Sequence, residues 1–528
     1  MQAPREAPPA FGFRSVSDRL GWWNLYFIAK LVLLALGLIG LHLIENLAFA
    51  VVLGAMAAPR WRRLRPWVGV PVAIALAYYD SWLPGFSRVV SQVSVISGFS
   101  AAYLAELAGR FVNATVLGAL VVALVAFIAI KRFVRLDVFV VAAMIALALV
   151  LAPPKPAADT TAAKDAAGSP APKSPDAMLS EFFQAEAQRA VAFPKPPEAS
   201  TPFDVIFIHV CSLSWDDLQA TGMDKHPLLA SFDAVLRRFN SVSTYSGPAA
   251  IRFLRAGCGQ TRHKDLYAPA PARCLLMPDL QEAGLEMQLV LNHDGHFDDF
   301  LSFVKAQGVQ VPALPINGIA APQRSFDDSR IHDDAAVLAR WLEARQKSAA
   351  PRAAVYYNTV SLHDGNRLVS DPKTKSSETY KARLVKLLDD LNGFVGKLAA
   401  SGRRAVVVLI PEHGAAWRGD AAQIAGLREI PTPAITLVPV GIRVIGPDAR
   451  RSGEALQVSE PTSYLALSYI VARMLAKPPY GAEGFRPSDY TAGMPTTEFV
   501  SEGETATILR RGSSYLIRQD QDPWKELR

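Results

Sequence analysis

Between residues 21 and 152 the chain carries a succession of apolar stretches long enough to cross a bilayer. From residue 203 onward that pattern stops, and short β-branched runs alternate with amphipathic helical ones. No single core absorbs both patterns, because runs near ~20 residues match the thickness of hydrocarbon while short continuous runs match buried strands. The fold expected is therefore an N-terminal α-helical transmembrane bundle followed by a separate α/β domain. At 528 residues the chain also exceeds the ~100–200 that one core usually organises. Half the residues are apolar and the mean hydropathy is +0.17, with the excess concentrated at the front. A net charge of +7 and a pI near 9.2 would suit a nucleic-acid partner. The obvious basic cluster, Arg60, Arg62, Arg63 and Arg65, however, lies between apolar runs, the place of membrane-flanking charge, and no nucleic acid is expected.

Residues 25–58 are interrupted by His42, Glu45 and Asn46, which suits a tight pair of short helices better than one tilted helix. Further spans are expected at about 67–83, 111–130 and 136–152. Between them Val89, Val93, Ile96, Tyr103 and Leu107 recur at near-helical spacing, as in an interfacial helix lying on the bilayer. Arg60 to Arg65 and Lys131, Arg132 and Arg135 are separated by two spans, so both can face the cytoplasm. Arg5, Arg14 and Arg19 place the N-terminus there too, giving about five spans with everything after residue 153 outside. His42 and Glu45 fit a hairpin turn or a partner-binding site equally well. The domains expected are residues 1–152, a linker over 153–200 and a soluble domain over 201–528. Within the linker, residues 153–175 are a Pro, Ala, Lys and Ser spacer, and residues 176–193, with Met178, Phe182, Phe183 and Val191, suit a short amphipathic helix.

In the soluble part, Val205 to Val210, Leu289 to Asn292, Val355 to Val360 and Ala405 to Ile410 fit strands buried on both faces, with Ala434 to Val438 as a fifth. Helical patterns such as Asp333 to Arg345 and Tyr380 to Leu398 lie between them, so a doubly wound, mainly parallel sandwich is expected. Ligands of such sheets bind beyond the carboxyl ends of the strands. Cys211, His363, Glu412 and His413 all fall there. Singly, a Cys after an apolar strand or an isolated His is ordinary core; their convergence from separate strands points to a site. Thiolate, imidazole and carboxylate together suit Zn2+, and three protein ligands leave the open position of a catalytic centre.

Ser246 precedes Pro248 at the start of the helical pattern Ala249 to Ala256, so it stands at a helix N-terminus. Two readings are open. Ser246 could be an N-cap bonded to a backbone N–H, or a nucleophile activated by the neighbouring metal, with the helix N-terminus favouring a phosphoryl group. Tyr245 could bind phosphoryl oxygens or simply pack. A second cluster, His293, Asp294, His296, Asp298 and Asp299, has metal-like composition in what reads as a loop. His332, Asp333 and Asp334 read as a helix start.

The order Cys211, then Tyr245-Ser246-Gly247-Pro248-Ala249-Ala250-Ile251-Arg252, then Cys258-Gly259-Gln260, then Pro411-Glu412-His413-Gly414, behind a membrane bundle, resembles the BcsG family of cellulose phosphoethanolamine transferases over nearly the whole chain. The resemblance implies an alkaline-phosphatase-like sandwich and a zinc enzyme of the bacterial inner membrane whose catalytic domain faces the periplasm. It implies Ser246 as nucleophile, Cys211, Glu412 and His413 as further zinc ligands, and His363 and Arg428 as pocket residues. Related lipid-A and teichoic-acid enzymes carry an acidic ligand where this chain has Cys211 and Asp-His where it has Glu412-His413, departures that favour the cellulose branch.

The reaction so implied moves phosphoethanolamine from phosphatidylethanolamine to Ser246 and then to a glucose C6 hydroxyl of cellulose, with Arg428 or His363 countering charge or carrying a proton. A lipid donor gives the anchor its purpose, and cellulose synthase subunits are the expected partners. Two other functions stay open: a sulfatase or phosphodiesterase of the same fold, and a scaffold of the synthase complex with a vestigial pocket. Cys258 and Cys274 enclose fifteen residues, and in an oxidising compartment a disulfide between them would contribute about 3 kcal/mol, leaving Cys211 for metal. Pairing of Cys211 with either of the others would instead remove a ligand.

Overall fold

A computed structural model describes residues 19–36, 39–81, 98–111, 114–131, 133–134, 136–151, 173–420, 422–520 and 522–527. The expected features at Arg5, Arg14, Val89, Val93, Ile96, Arg132 and Arg135, and nearly all of the spacer, lie outside these residues. The chain divides into two compact units, one formed by Met1–Ser91 with Leu107–Ala171 and the other by Gln92–Glu106 with Pro172–Arg528.

The first unit is helical, with helices over Trp23–Ala35, Leu43–Ala55, Arg65–Tyr79, Ala114–Ile130 and Leu136–Leu151. Residues 25–58 thus form two helices, the second opening at His42. Among the described residues no single helix is long and apolar enough to cross a membrane; Ala101–Arg110 and Thr115–Ile130 pass that test only as a bent pair. The surface is nonetheless apolar, with Ile44, Val51, Trp67 and Val122 each more than 60% exposed. The interior holds Lys30, Asn46 and Asp80, all buried. Lys30 Nζ reaches Asn46 Oδ1 at 2.7 Å and pairs with Asp80. Asp80 also accepts from His42 N at 3.0 Å and from Asn46 Nδ2 at 2.8 Å.

The second unit is built on a seven-stranded sheet: β1 Asp204–Val210, β2 Ala234–Asn240, β3 Glu286–Leu291, β4 Ala353–Thr359, β5 Ala405–Pro411, β6 Leu437–Ile445 and β7 Leu456–Thr462. Their order across the sheet is β7-β2-β6-β5-β1-β4-β3, and only β6 runs against its neighbours. The sheet is therefore mixed and mainly parallel. Residues of β1 alternate between two cores. Val205 and Phe207, with Phe203 just before the strand, pack with the helices Ser246–Leu254 and Tyr464–Ala476. Ile206, Ile208 and Val210 pack with Asp334–Lys347 and Ser376–Ala400 on the other face. This is the three-layer sandwich that continuous β-branched runs require. Ala434 to Val438 is corrected: Pro433–Thr436 is a helical turn, as Pro at its first position allows, and β6 begins only at Leu437.

The helix Pro175–Glu186 starts at Ser174, whose hydroxyl accepts from Ala177 N, and packs Leu179 and Phe183 against a small antiparallel sheet containing Val500, Leu509 and Leu516. Val191 lies beyond its end and bonds instead to Gly257 O. The helix Ala101–Phe111 covers part of the stretch expected to lie on the bilayer. Its first six residues belong to the second unit, where Tyr103 and Glu106 are buried by polar contacts described below.

Candidate active site

Parallel pairing of β1 with β4 and β5 puts the ends of these three strands side by side, with His209 opposite Asn358 and Val210 opposite Pro411. The backbone stays tied just past the ends: Cys211 N donates to Thr359 O at 3.0 Å and Glu412 N to Val210 O at 2.8 Å. The chain then turns at Ser212, which holds φ 68°, a strained value for a residue with a Cβ. Side chains from elements far apart in sequence thereby meet at one edge.

There, Cys211, Glu412 and His413 each present a ligand atom, all within 4.8 Å of one another and all buried. Ser246 Oγ lies 3.4 Å from Cys211 Sγ. The N-cap reading of Ser246 is not what forms. Tyr245 occupies the cap position, Ser246 is the first helical residue, and its hydroxyl faces the thiol. Val242, at φ 68°, supplies the turn that leads into this helix.

Hydrogen bonds around these side chains fix what each of them offers. His413 Nδ1 lies 2.9 Å from Gly414 O, and since a carbonyl only accepts, Nδ1 carries the proton and Nε2 keeps its lone pair. Glu412 Oε1 accepts from Asn358 Nδ2 at 2.6 Å. Glu412 Oε2 and His413 Nε2, 3.8 Å apart, are buried with no hydrogen-bond partner. Buried polar atoms are ordinarily satisfied, so two orphans turned toward each other beside a thiol and a hydroxyl fit a divalent cation as their common partner. Ionisation tells the same story. Burial pushes the Cys211 thiol up to about 12, with Glu412 adding to the rise. Burial also pushes Glu412 up to about 7 and holds His413 well below the usual imidazole range. Soft and borderline donors of this kind suit zinc.

Arg428 reaches the same edge, Nη1 donating to Ser212 Oγ at 3.0 Å, and its guanidinium stands 5.5 Å from the Tyr245 ring. Burial works against its charge, but Cys211, Tyr245 and Asp364 outweigh that and raise its pKa. Tyr245 Oη donates to Glu429 Oε1 at 2.5 Å. His363 Nδ1 donates to Asp364 O at 2.6 Å, and its ring packs against Phe326 with centroids 4.9 Å apart. Burial, then Arg428, lowers it to about 4, so it is a neutral imidazole.

The expected disulfide Cys258–Cys274 is formed, and Cys211 is the free cysteine. Among the described residues the second cluster does not assemble into a metal site, and the Asp298 side chain lies outside them. His293 is buried against Asn358 Oδ1 at 2.9 Å, while His296 and Asp294 are solvent-facing. Asp333 caps the helix Asp334–Lys347, accepting from Ala336 N at 3.0 Å.

Three residues that hold the site escaped sequence reasoning. Asn358 bridges His293 and Glu412; His209 Nδ1 stands 3.4 Å from Glu412 Oε1; Asp217 accepts from Ala415 N at 2.8 Å and so pins the loop after His413. His209 lies on β1 two residues before Cys211, the spacing that puts side chains of an extended chain on one side, and Asn358 is the polar interruption of an apolar run. Those were the available signals.

A mixed α/β sandwich whose strand ends gather a thiol, a carboxylate, an imidazole and a serine at a helix start defines a metal-competent strand-edge site. Residues 23–149 match the cellulose biosynthesis protein BcsG N-terminal domain and residues 159–524 the BcsG C-terminal domain. The chain is 39% identical to the cellulose biosynthesis protein BcsG of Escherichia coli (strain K12) and 38% identical to that of Salmonella typhimurium (strain LT2), in each case over 96% of both chains. It belongs to the BcsG family of cellulose biosynthesis proteins. Among solved structures, the C-terminal periplasmic domain of EcEptC from Escherichia coli covers 60% of this chain and 94% of its own, at 13% identity and a TM-score of 0.44. That overlap is too loose to assign an activity.

Proposed function

We propose that this chain is a membrane-anchored, zinc-dependent phosphoethanolamine transferase that takes its group from phosphatidylethanolamine and places it on the C6 hydroxyl of glucose units in cellulose. The observation that carries the reading is the gathering of Cys211, Glu412 and His413 within 4.8 Å, with Ser246 Oγ 3.4 Å from the thiol. Family membership supports cellulose as the acceptor, and the apolar exterior of the helical unit supports a place in the bacterial inner membrane with the catalytic domain in the periplasm.

Cys211, Glu412, His413 and Ser246 would hold the metal, which supplies Lewis acidity that eases ionisation of the serine and offsets phosphoryl charge. Ser246 Oγ attacks phosphorus; its bond to phosphorus forms as the bond to diacylglycerol oxygen breaks, and the serine proton leaves with that alcohol. In the second half the glucose hydroxyl attacks the same phosphorus, the phosphorus–Oγ bond breaks, and the hydroxyl proton ends on Ser246. Arg428, held charged beside Cys211, stabilises the phosphoryl oxygens. His363, a neutral imidazole whose Nδ1–H is committed to Asp364 O, has Nε2 for carrying the proton. A lipid donor explains the anchor, since tethering raises the effective concentration of a membrane-held substrate. Cellulose synthase subunits are the natural partners.

The test is intact-protein mass spectrometry of the full chain after incubation with phosphatidylethanolamine. A phosphoethanolamine adduct mapped to Ser246, absent in Ser246→Ala, is expected. Undiminished transfer by Ser246→Ala would exclude the serine, and a purified protein without stoichiometric zinc would turn the reading toward a scaffold.

A further inference from the structure

The stretch Gly98–Glu106 lies in sequence between apolar helices, yet its contacts are with the catalytic loop that carries His363. Ser100 N donates to Phe326 O at 2.8 Å. Tyr103 Oη donates to Asp364 Oδ2 at 2.9 Å, beside His363. Arg367 Nη2 meets Glu106 Oε2 at 2.7 Å, and the same carboxylate oxygen accepts from Ser376 N at 3.3 Å. Aromatic rings continue the contact. Phe99 and Tyr103 pack on Phe326 with centroids 5.2 and 6.0 Å away, and Phe326 packs on His363. The loop is shaped to admit them: Gly365 holds φ +85°, and a Cβ there would come within 2.8 Å of the Tyr103 ring. A helix resting on lipid would turn its aromatic residue outward, whereas Tyr103 and Glu106 are 7% and 6% exposed.

We propose that Gly98–Glu106 is a strap that positions the catalytic loop Ser361–Arg367, with Tyr103 and Glu106 as positioning residues that fix Asp364, Arg367 and through them His363. The inference rests on the transfer reading above for its kinetic consequence, but not for its structural one. Asp364 supplies the carbonyl that sets the His363 tautomer, and its carboxylate is held by Tyr103. Arg367 ends the loop and Ser376 lies beyond it, and Glu106 pairs with the first while accepting from the second. The active site is thus complete only when a segment encoded ahead of residue 172 is seated on it. Freeing the loop leaves Cys211, Glu412 and His413 in place, because their strands do not depend on the strap. Loss of the strap therefore lowers turnover while metal content is kept.

The experiment uses the full chain in detergent or lipid. In Glu106→Arg and in Arg367→Glu, amides of residues 361–367 and 376 are expected to exchange with deuterium about tenfold faster than in wild type, and kcat to fall about tenfold with KM for phosphatidylethanolamine and zinc content unchanged. The double variant Glu106→Arg with Arg367→Glu restores slow exchange and most of kcat, a rescue that a general folding defect would not give. Tyr103→Phe, which keeps the ring and loses the hydroxyl, gives a smaller change of the same kind. Unchanged loop exchange in the single variants, or no recovery in the double, overturns the proposal. Absence of a Ser246 adduct in wild type instead overturns the transfer reading, and loop exchange alone then decides the strap.

Discussion

Both units bury a polar cluster, and the two clusters are balanced in opposite ways. In the helical unit, Asp80 meets its own cation: Lys30 pairs with it, and His42 and Asn46 take up the remaining acceptor capacity. At the sheet edge, Cys211 and Glu412 share a site with neutral imidazoles, and Glu412 Oε2 and His413 Nε2 have no hydrogen-bond partner. Burying polar groups is costly unless they are matched. A cluster that matches itself holds helices together, whereas one that leaves atoms unmatched toward a common point is made for something brought from outside. Content alone does not separate the two, since both contain a His and a carboxylate.

That contrast can be broken by experiment. The largest effect is expected from Cys211→Ala, which should abolish stoichiometric zinc and the Ser246 adduct together. Elemental analysis with mass spectrometry checks this, and a variant that kept both would show that the sheet-edge orphans are not a metal site. Lys30→Met should leave Asp80 uncompensated and cost about 3–5 kcal/mol of stability in the helical unit, while Lys30→Met with Asp80→Asn recovers most of it. Denaturation in detergent measures both, and an equal loss in single and double variants would remove the self-balanced reading.

A pH titration sharpens the comparison inside the sheet-containing unit. Burial lowers His293 to about 4, below its unfolded value near 6.5. The unfolded chain therefore binds more protons between about pH 4 and 6.5, so His293 stability is present above about 6.5 and is lost as pH falls through that window, at up to ~1.4 kcal/mol per unit. His293→Gln should flatten that slope in urea melts. The smallest effect is expected from Asn358→Leu, which releases Glu412 Oε1 without touching a ligand. Zinc affinity should weaken about 10–100-fold, read by competition with a chelator.

Strands and candidate ligands were legible because each is a local event. Val205 to Val210 and Ala405 to Ile410 announce buried parallel strands, and in such a sheet the residues just past them share an edge. Cys211, Glu412 and His413 follow from that alone. Ser246 was legible as a helix start, but its own neighbours left cap and nucleophile both open, and only the family resemblance implied a place beside Cys211. Ala434 to Val438 was misplaced because a β-branched pair after Pro433 suits a helical turn and a strand equally well.

By itself, then, the sequence determined an apolar helical front, a mainly parallel sandwich behind it, and the residue types at the strand ends, since hydrophobic period and strand punctuation are properties of neighbours along the chain. Only the tertiary structure decided that Asn358 and His209 back Glu412, that Asp217 pins the loop after His413, and that Tyr103 leaves the expected interfacial face to bond Asp364. Each of those contacts joins residues from about 54 to 261 positions apart. A sequence pattern records which face a side chain leaves by, and the packing of distant elements fixes what it meets there.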